Sequence, residues 1–359
     1  MVNDQDVLKA LQAVPGPDGK TPLPQSGAIA GLTVREGKVY LSIAIDPKLS
    51  AAMEPMRVAA DAAARKVSGV VSALVSLTAE APPAPSPKTP APRNIAIPGI
   101  ANIIAVASGK GGVGKSTTCV NLALALASLG WRIGILDADI YGPSLPRLLG
   151  LKSKPTSSGR TIQPLEAYGI KAMSIGFLVD EEDPMIWRGP MVMSAIQQLL
   201  RDVAWGELDC LVVDMPPGTG DAQLTLAQSV PLAGAVIVST PQDLALIDAR
   251  RGIAMFKKVD VPVLGIVENM SYFLCPHCGG RSDIFAHGGA RHEADRYGVP
   301  FLGEVPLHMG IRETSDAGRP VAAVEPDGAH AAVYRDIARL VKDKLEAGRA
   351  RAAPRIVIE

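Results

Sequence analysis

Residues 109–117 read Gly-Lys-Gly-Gly-Val-Gly-Lys-Ser-Thr, and no other stretch of the chain restricts its architecture as tightly. The spacing is G-x-x-x-x-G-K-[ST], a phosphate-binding loop that works only where a strand delivers it and a helix leaves it. Both flanks are present: the apolar run 103–107 enters, and a helical run from Cys119 to Leu129, closed by Gly130, leaves. Gly109, Gly111, Gly112 and Gly114 have no Cβ, so the backbone around Val113 can turn its N–H groups inward around a polyphosphate at the helix N-terminus. Lys115 then reaches the β and γ phosphates of a nucleoside triphosphate, the Ser116 hydroxyl ligates magnesium, and Thr117 serves the α-phosphate. A glycine-rich turn without a ligand is the plainer alternative, but it does not require strand, loop, lysine, hydroxyl and helix in this order.

Lys110 follows the first loop glycine, where most such loops have no lysine. From there it can point across a two-fold interface and supply positive charge to a partner's phosphates, as an arginine finger does. The competing reading is a solvated surface lysine.

Two further segments supply acids. Leu-Asp137-Ala-Asp139-Ile-Tyr-Gly-Pro-Ser ends the second core strand, and Asp139 is the candidate to orient or deprotonate the attacking water, because Asp137 lies closer to the strand. Residues 209–214 form an apolar run ending in Asp214, followed by Met-Pro-Pro-Gly218-Thr-Gly-Asp. Asp214 fits the second magnesium position, and Gly218 can bring a backbone N–H to the γ-phosphate. Such a turn orders with triphosphate and relaxes after hydrolysis.

The 359 residues have room for two domains. Residues 81–93, with a proline at nearly every second position, favour extended polyproline conformation and mark a linker over 81–97. Ahead of it, 1–80 reads as a small α/β adaptor domain: helices near 4–13 and 49–66, and strands near 28–35, 38–45 and 70–77. It contains no cysteine or histidine, so a metal centre confined to it is not expected. After the linker, 98–348 alternates short apolar runs (103–107, 132–136, 170–175, 209–214, 235–239, 263–268) with helical stretches (116–129, 191–203, 243–258, 329–347). That is the pattern of a doubly wound, mostly parallel α/β sheet. Residues 349–359 form a tail.

Lys plus Arg equal Asp plus Glu at 36 each, so no global field draws the chain onto nucleic acid or an anionic membrane. No secretory signal or membrane-spanning run is legible, which gives cytoplasm as the expected location. Four cysteines do not make a disulfide framework, and a reducing compartment suits them.

Cys275-Pro-His-Cys278-Gly-Gly has the C-x-x-C spacing that lets two thiolates converge on one metal centre. Two thiolates are half a coordination set. Cys119 and Cys210 fall in a helix and a buried strand and are poor candidates. The missing half can come from the same pair in a second subunit, giving four sulfurs on a two-fold axis. Alternatively His277, His287 or His292 completes a zinc shell within one chain, and spacing does not separate iron-sulfur from zinc. A redox dithiol is a weaker option, since such motifs usually open a helix near the first strand.

Together, the loop with Lys110 and Lys115, the Asp-Ala-Asp139-Ile-Tyr-Gly-Pro-Ser segment, Trp187-Arg-Gly-Pro-Met, Asp214-Met-Pro-Pro-Gly-Thr-Gly-Asp and Asn269-Met-Ser-Tyr-Phe resemble the Mrp/ApbC family of iron-sulfur cluster carrier ATPases over about 98–345. Residues 1–80 resemble, more weakly, the small cluster-assembly domain that precedes the ATPase in bacterial members. The resemblance implies a homodimeric ATPase of the signature-lysine class, related to MinD, ParA and the nitrogenase iron protein. It implies ATP and Mg2+ as ligands and a [4Fe-4S] cluster bound by the paired C-x-x-C of two subunits. It further implies cluster-assembly scaffolds and apo-protein clients as partners, with no nucleic acid and no membrane. On the matching positions, Lys110 is the signature lysine, Lys115 and Ser116 bind phosphate and magnesium, and Asp139 orients water. Asp139 and Asp214 complete the magnesium set, Cys275 and Cys278 hold the cluster, and Asn269 recognises adenine. The amino-terminal domain lacks the cysteine some relatives carry there. The alternative reading is a MinD/ParA-like positioning ATPase with a structural zinc site.

Overall fold

Alternating apolar residues in the first 80 positions leave a sheet with one wet face, and the computed structural model shows it; it describes residues 2, 4–35, 37–45, 50–78, 97–179 and 189–351. The chain divides into two compact units, Met1–Ala91 and Pro92–Glu359. The proline-rich stretch expected to join them lies, over 81–96, outside the described residues.

The first unit contains α1 (Asp4–Leu11), β1 (Ile29–Arg35), β2 (Lys38–Ala44), α2 (Ser50–Arg65) and β3 (Ser72–Thr78). β1 pairs antiparallel with β2 across a short connection, whereas β2 and β3 are parallel and need α2 as their crossover. Val39, Leu41 and Ile43 point inward with Ala73 and Val75 and pack on Leu11, Met56, Ala60 and Ala64. Tyr40 and Leu74, cross-strand partners on the opposite face, stay exposed.

In the second unit β4 (Ile103–Ala107), α3 (Lys115–Ser128), β5 (Ile133–Asp137) and α4 (Leu145–Leu148) are followed by a small hairpin, β6 (Ser157–Ser158) and β7 (Thr161–Ile162). Then come β8 (Leu165–Ala167), β9 (Ile170–Ser174), α5 (Gly189–Arg201), β10 (Cys210–Asp214), α6 (Asp221–Ser229), β11 (Gly234–Ser239), α7 (Asp243–Lys258) and β12 (Val263–Leu274). The chain closes with β13 (Arg281–Ser282), α8 (Gly289–Tyr297), β14 (Phe301–Leu307), α9 (Met309–Asp316), α10 (Val321–Val324) and α11 (Ala329–Arg351).

The main sheet runs β13-β12-β11-β4-β10-β5-β9-β8, with β14 also on β12. Its core pairs are parallel, and only β8 and β13 at the ends run antiparallel. β4, β5, β10 and β11 are buried at every residue, as strands covered on both faces must be. The expected doubly wound, mostly parallel α/β fold is the observed one. From β4 the chain moves to β5 on one side, and later crosses from β10 to β11 on the other. The crevice at the carboxyl ends of these strands is where such sheets bind ligands.

Among the departures from the expected elements, three bear on the site and its support. β12 continues past residue 268 to Leu274, carrying the polypeptide directly into the cysteine turn. β14 was hidden by Gly303 and Pro306; the proline is tolerated because, among the described residues, β14 pairs with β12 alone, so the missing N–H breaks no second ladder. α11 runs through Arg351, beyond the expected 347, and packs Tyr334, Ile337, Ala338 and Val341 into the core beside α3. Burying Ile337 and Val341 contributes about 1.5–3 kcal/mol each, which helps hold α3 and its loop in place.

Candidate functional site

The loop after β4 closes on the N-terminus of α3 under two steric constraints. A Cβ on Gly109 would collide with the backbone of Asp248 on α7, so the loop can lie against that helix only as glycine. Gly114 is the N-cap of α3 at φ 78°, in the left-handed region, and a Cβ there would strike Asn269 Nδ2. Asn269 Nδ2 donates to the Val113 carbonyl at 2.8 Å, and Ser108 Oγ donates to the Lys110 carbonyl at 2.9 Å. The cradle is therefore set before any phosphate arrives. Lys110 is half-buried and makes no ion pair among the described residues.

Behind the loop, Lys115 and Asp214 are both buried. Lys115 Nζ donates to Asp214 Oδ1 at 2.5 Å and to Ser116 Oγ at 3.2 Å. Burial pulls the Lys115 pKa down, but the Asp214 charge and hydrogen bond outweigh it and hold the ammonium above its ordinary range. Ser116 and Asp214, two of the three expected magnesium ligands, thus converge on one point, which the ammonium bridges.

Asp137 and Asp139 separate into different environments. Asp137 is fully buried at the end of β5 and accepts from the N–H groups of Asp139, Ser144 and Leu145 and from Ser174 Oγ, at 3.0–3.1 Å. It anchors the turn into α4. Burial, then the Asp214 charge, pushes its pKa to about 7. Asp139 is half-buried, accepts from the Gly142 N–H on its Oδ1 at 3.3 Å and from the Tyr141 N–H, and burial raises its pKa. Its remaining lone pairs suit a base or a metal ligand better than those of Asp137. Gly218, at φ 101°, donates its N–H to the Ser108 carbonyl at 3.1 Å, so a γ-phosphate would have to take that donor from the loop itself.

A cavity of about 180 Å³ opens beside Gly114 and Thr117, walled by Asn269, Met270, His308 and Tyr334. The Tyr334 hydroxyl is buried and has no hydrogen-bond partner among the described residues. His308 caps α9 through Nδ1, accepting from the Gly310 N–H at 3.0 Å, and its ring lies 4.2 Å from that of His330. Sequence reasoning named Asn269 but missed His308 and Tyr334, because they lie far along the chain from the loop and carry no local motif.

Cys275 and Cys278 sit on the turn between β12 and β13. Cys275 N–H donates to the Gly280 carbonyl at 2.9 Å and Gly279 N–H to the Cys275 carbonyl at 2.8 Å. Hydrogen bonds from the backbone N–H groups of His277 and Cys278 lower the Cys275 pKa, favouring the thiolate that a metal requires. Cys278 is exposed, whereas Cys119 and Cys210 are fully buried. Among the described residues no three His, Cys, Asp or Glu side chains gather as a metal site. His287 faces Glu304 at 3.0 Å, and among the described residues neither it, His277 nor His292 gathers with the two cysteines. Trp187 lies outside the described residues.

The family model described as the NUBPL iron-transfer P-loop NTPase matches residues 99–342, and one described as iron-sulfur cluster assembly protein matches 4–75. The chain is 56% identical over 262 residues to the iron-sulfur cluster transfer protein NUBPL of Dictyostelium discoideum, covering 72% of this chain and 81% of that one. It is 55% identical over 251 residues to the iron-sulfur cluster carrier protein of Escherichia coli K12, covering 69% and 68%. A nucleotide-binding protein of Archaeoglobus fulgidus solved with ADP superposes with a TM-score of 0.57 at 44% identity, over 65% of this chain and 90% of that one. The cell division ATPase MinD of Pyrococcus furiosus, at 21% identity and TM-score 0.52 over 68% and 99%, shares the fold.

Proposed function

The chain belongs to the NUBPL iron-transfer P-loop NTPase family, and from that premise we propose a cytoplasmic carrier that binds and hydrolyses ATP while a [4Fe-4S] cluster rides between two copies of the chain. The cluster is cargo, collected from assembly scaffolds and handed to apo-protein clients. Residues 1–80 act as the adaptor toward those scaffolds, joined through 81–97 to the carrier unit 98–348, with 349–359 as a tail; the family match over 4–75 supports the first assignment.

The observation that carries this reading is the cysteine turn. It offers two thiols, one of them biased toward thiolate, and no third ligand among the described residues. A second copy supplies the other half of a four-sulfur site most simply. The same two-fold arrangement would bring Lys110 of each copy to the other's phosphates.

The nucleotide would lie along 109–117, with its base in the cavity beside Asn269. Magnesium fits the donors present: the Ser116 hydroxyl and the Asp214 carboxylate, now bridged by an ammonium, with the half-buried Asp139 close enough for its charge to act on that ammonium. When bound, it would neutralise phosphate charge. Lys115 would turn from Asp214 to the phosphates, and Asp139 would hold a proton of the attacking water.

Anaerobic reconstitution with iron and sulfide, followed by iron, acid-labile sulfide and zinc assays and light scattering, tests the proposal. Four irons and four sulfides per dimer are expected. Zinc at one ion per chain without sulfide would remove the carrier role.

A further inference from the structure

Between Asn269 and the cysteines, β12 does something a plain strand does not. Asn269 pairs with Val305 of β14 and Phe273 with Leu307, so β12 spends more residues than its partner between the two pairs. Met270, within this bulge, has φ 54°, an uncommon and strained value for an unbranched non-glycine residue. Bulges of this kind bend a strand and re-aim the residues beyond them. Beyond this one lies the hairpin of β12 and β13, pairing Phe273 with Ser282 and Leu274 with Arg281, with Cys275 and Cys278 at its tip.

One buried carboxylate ties the strand leading into that hairpin to the start of α8 that follows it. Glu268 is completely buried, adjacent to Asn269, and accepts from Ser271 Oγ at 2.6 Å on the outgoing arm. On the returning side it accepts from the N–H groups of Gly288 at 3.0 Å and Ala290 at 2.7 Å, which open α8. Three hydrogen bonds to one carboxyl group hold the joint on both sides. Its other face meets the nucleotide site: Met270 lines the cavity beside Gly114 and Thr117, and Asn269 holds the Val113 carbonyl.

We propose that Glu268 is a positioning residue, and that the Met270 bulge it braces through Ser271 is the joint through which occupation of the nucleotide cavity re-aims Cys275 and Cys278. The inference rests on the proposed nucleotide site but not on the cluster, because it concerns the geometry of the free thiols. A ligand shifts the hairpin only by making different contacts in its two settings, and Met270 with Asn269 is where those contacts differ. Glu268 transmits the change because its carboxylate bonds Ser271, next to Met270 in the bulge, and the start of α8 together.

The test is alkylation of the apo-protein, with the rate at Cys275 and at Cys278 followed by mass spectrometry, with and without Mg-ADP. Cys119 and Cys210 are buried and act as internal controls for unfolding. In the parent protein ADP is expected to change the rates by on the order of fivefold. In Ser271→Ala and in Glu268→Gln the ratio of rates with and without ADP should fall toward one, with ADP affinity by calorimetry unchanged in Ser271→Ala. A purely structural role would raise the rates in both states and leave the ratio intact; that result overturns the proposal, as does a parent protein that binds ADP without any change in rate. Absence of ADP binding to the parent protein would instead overturn the nucleotide assignment beneath it. Ser271→Ala, which removes one hydroxyl, keeps the test decisive should Glu268→Gln fail to fold.

Discussion

Lys115 and Asp214, 99 residues apart in the chain, form a buried ion pair at 2.5 Å directly behind the phosphate loop. Removing one partner strands the other charge, which costs about 3–5 kcal/mol, whereas replacing both with apolar residues of similar volume is often neutral. Asp214→Asn should therefore lower the urea midpoint of the nucleotide-free protein, and Lys115→Met with Asp214→Leu should recover much of it. Both proteins should lack magnesium-dependent ATP turnover. Retained turnover in either would show that the loop has been assigned the wrong chemistry.

Lys110 can be tested by mixing. Lys110→Gln and Lys115→Ala should each be inactive alone, but a mixed dimer places one intact Lys110 opposite one intact Lys115. ATP turnover of the mixture should exceed that of either variant. If no gain is seen while subunits exchange, Lys110 serves its own nucleotide or none.

The loop glycines are not equivalent. Gly109→Ala drives a methyl into the Asp248 backbone, while a Cβ on Gly111 meets nothing within 4 Å. Thermal melts should show Gly109→Ala destabilised by more than about 1 kcal/mol and Gly111→Ala within about 0.5 kcal/mol of the parent. Equal effects would mean that α7 does not press on the loop.

Cys275→Ser with Cys278→Ser should abolish retention of iron and sulfide after reconstitution and leave ATP affinity unchanged, since neither thiol lies in the nucleotide cavity. Cys210→Ser puts a hydroxyl at a fully buried position and should lower stability while sparing cluster yield. An undiminished cluster in the double variant would place the ligands elsewhere.

His330 gives a pH signature. Burial, then the neighbouring His308, depresses its pKa below the ordinary 6.5, with Glu325 opposing. The unfolded chain binds that proton more readily, so the contribution to stability is intact above the unfolded pKa and is lost as pH falls through the lower folded value. Melting curves from pH 8 to 5 should drop more steeply in the parent than in His330→Asn, and identical slopes would remove the assignment.

The cysteine turn, the glycine loop and the alternation of strand and helix were legible in the chain because each is contiguous: a handful of neighbouring residues sets the backbone path and brings its own donors. Asp139 was separable from Asp137 by the same local logic, since β5 ends at Asp137 and carries that side chain inward. β14 was not legible, because Gly303 and Pro306 erase the strand pattern that edge pairing tolerates.

By itself, then, the order of residues determined a doubly wound phosphate-binding unit and a two-thiol turn. Tertiary structure alone decided that Lys115 rests on Asp214, that Tyr334 and His308 wall the cavity, and that Glu268 ties Ser271 of β12 to the start of α8. The reason is physical: these contacts depend on β10 inserting between β4 and β5, and on α11 packing beside α3, and such strand order and helix packing come from burying the whole apolar surface at once, which no short window of sequence contains.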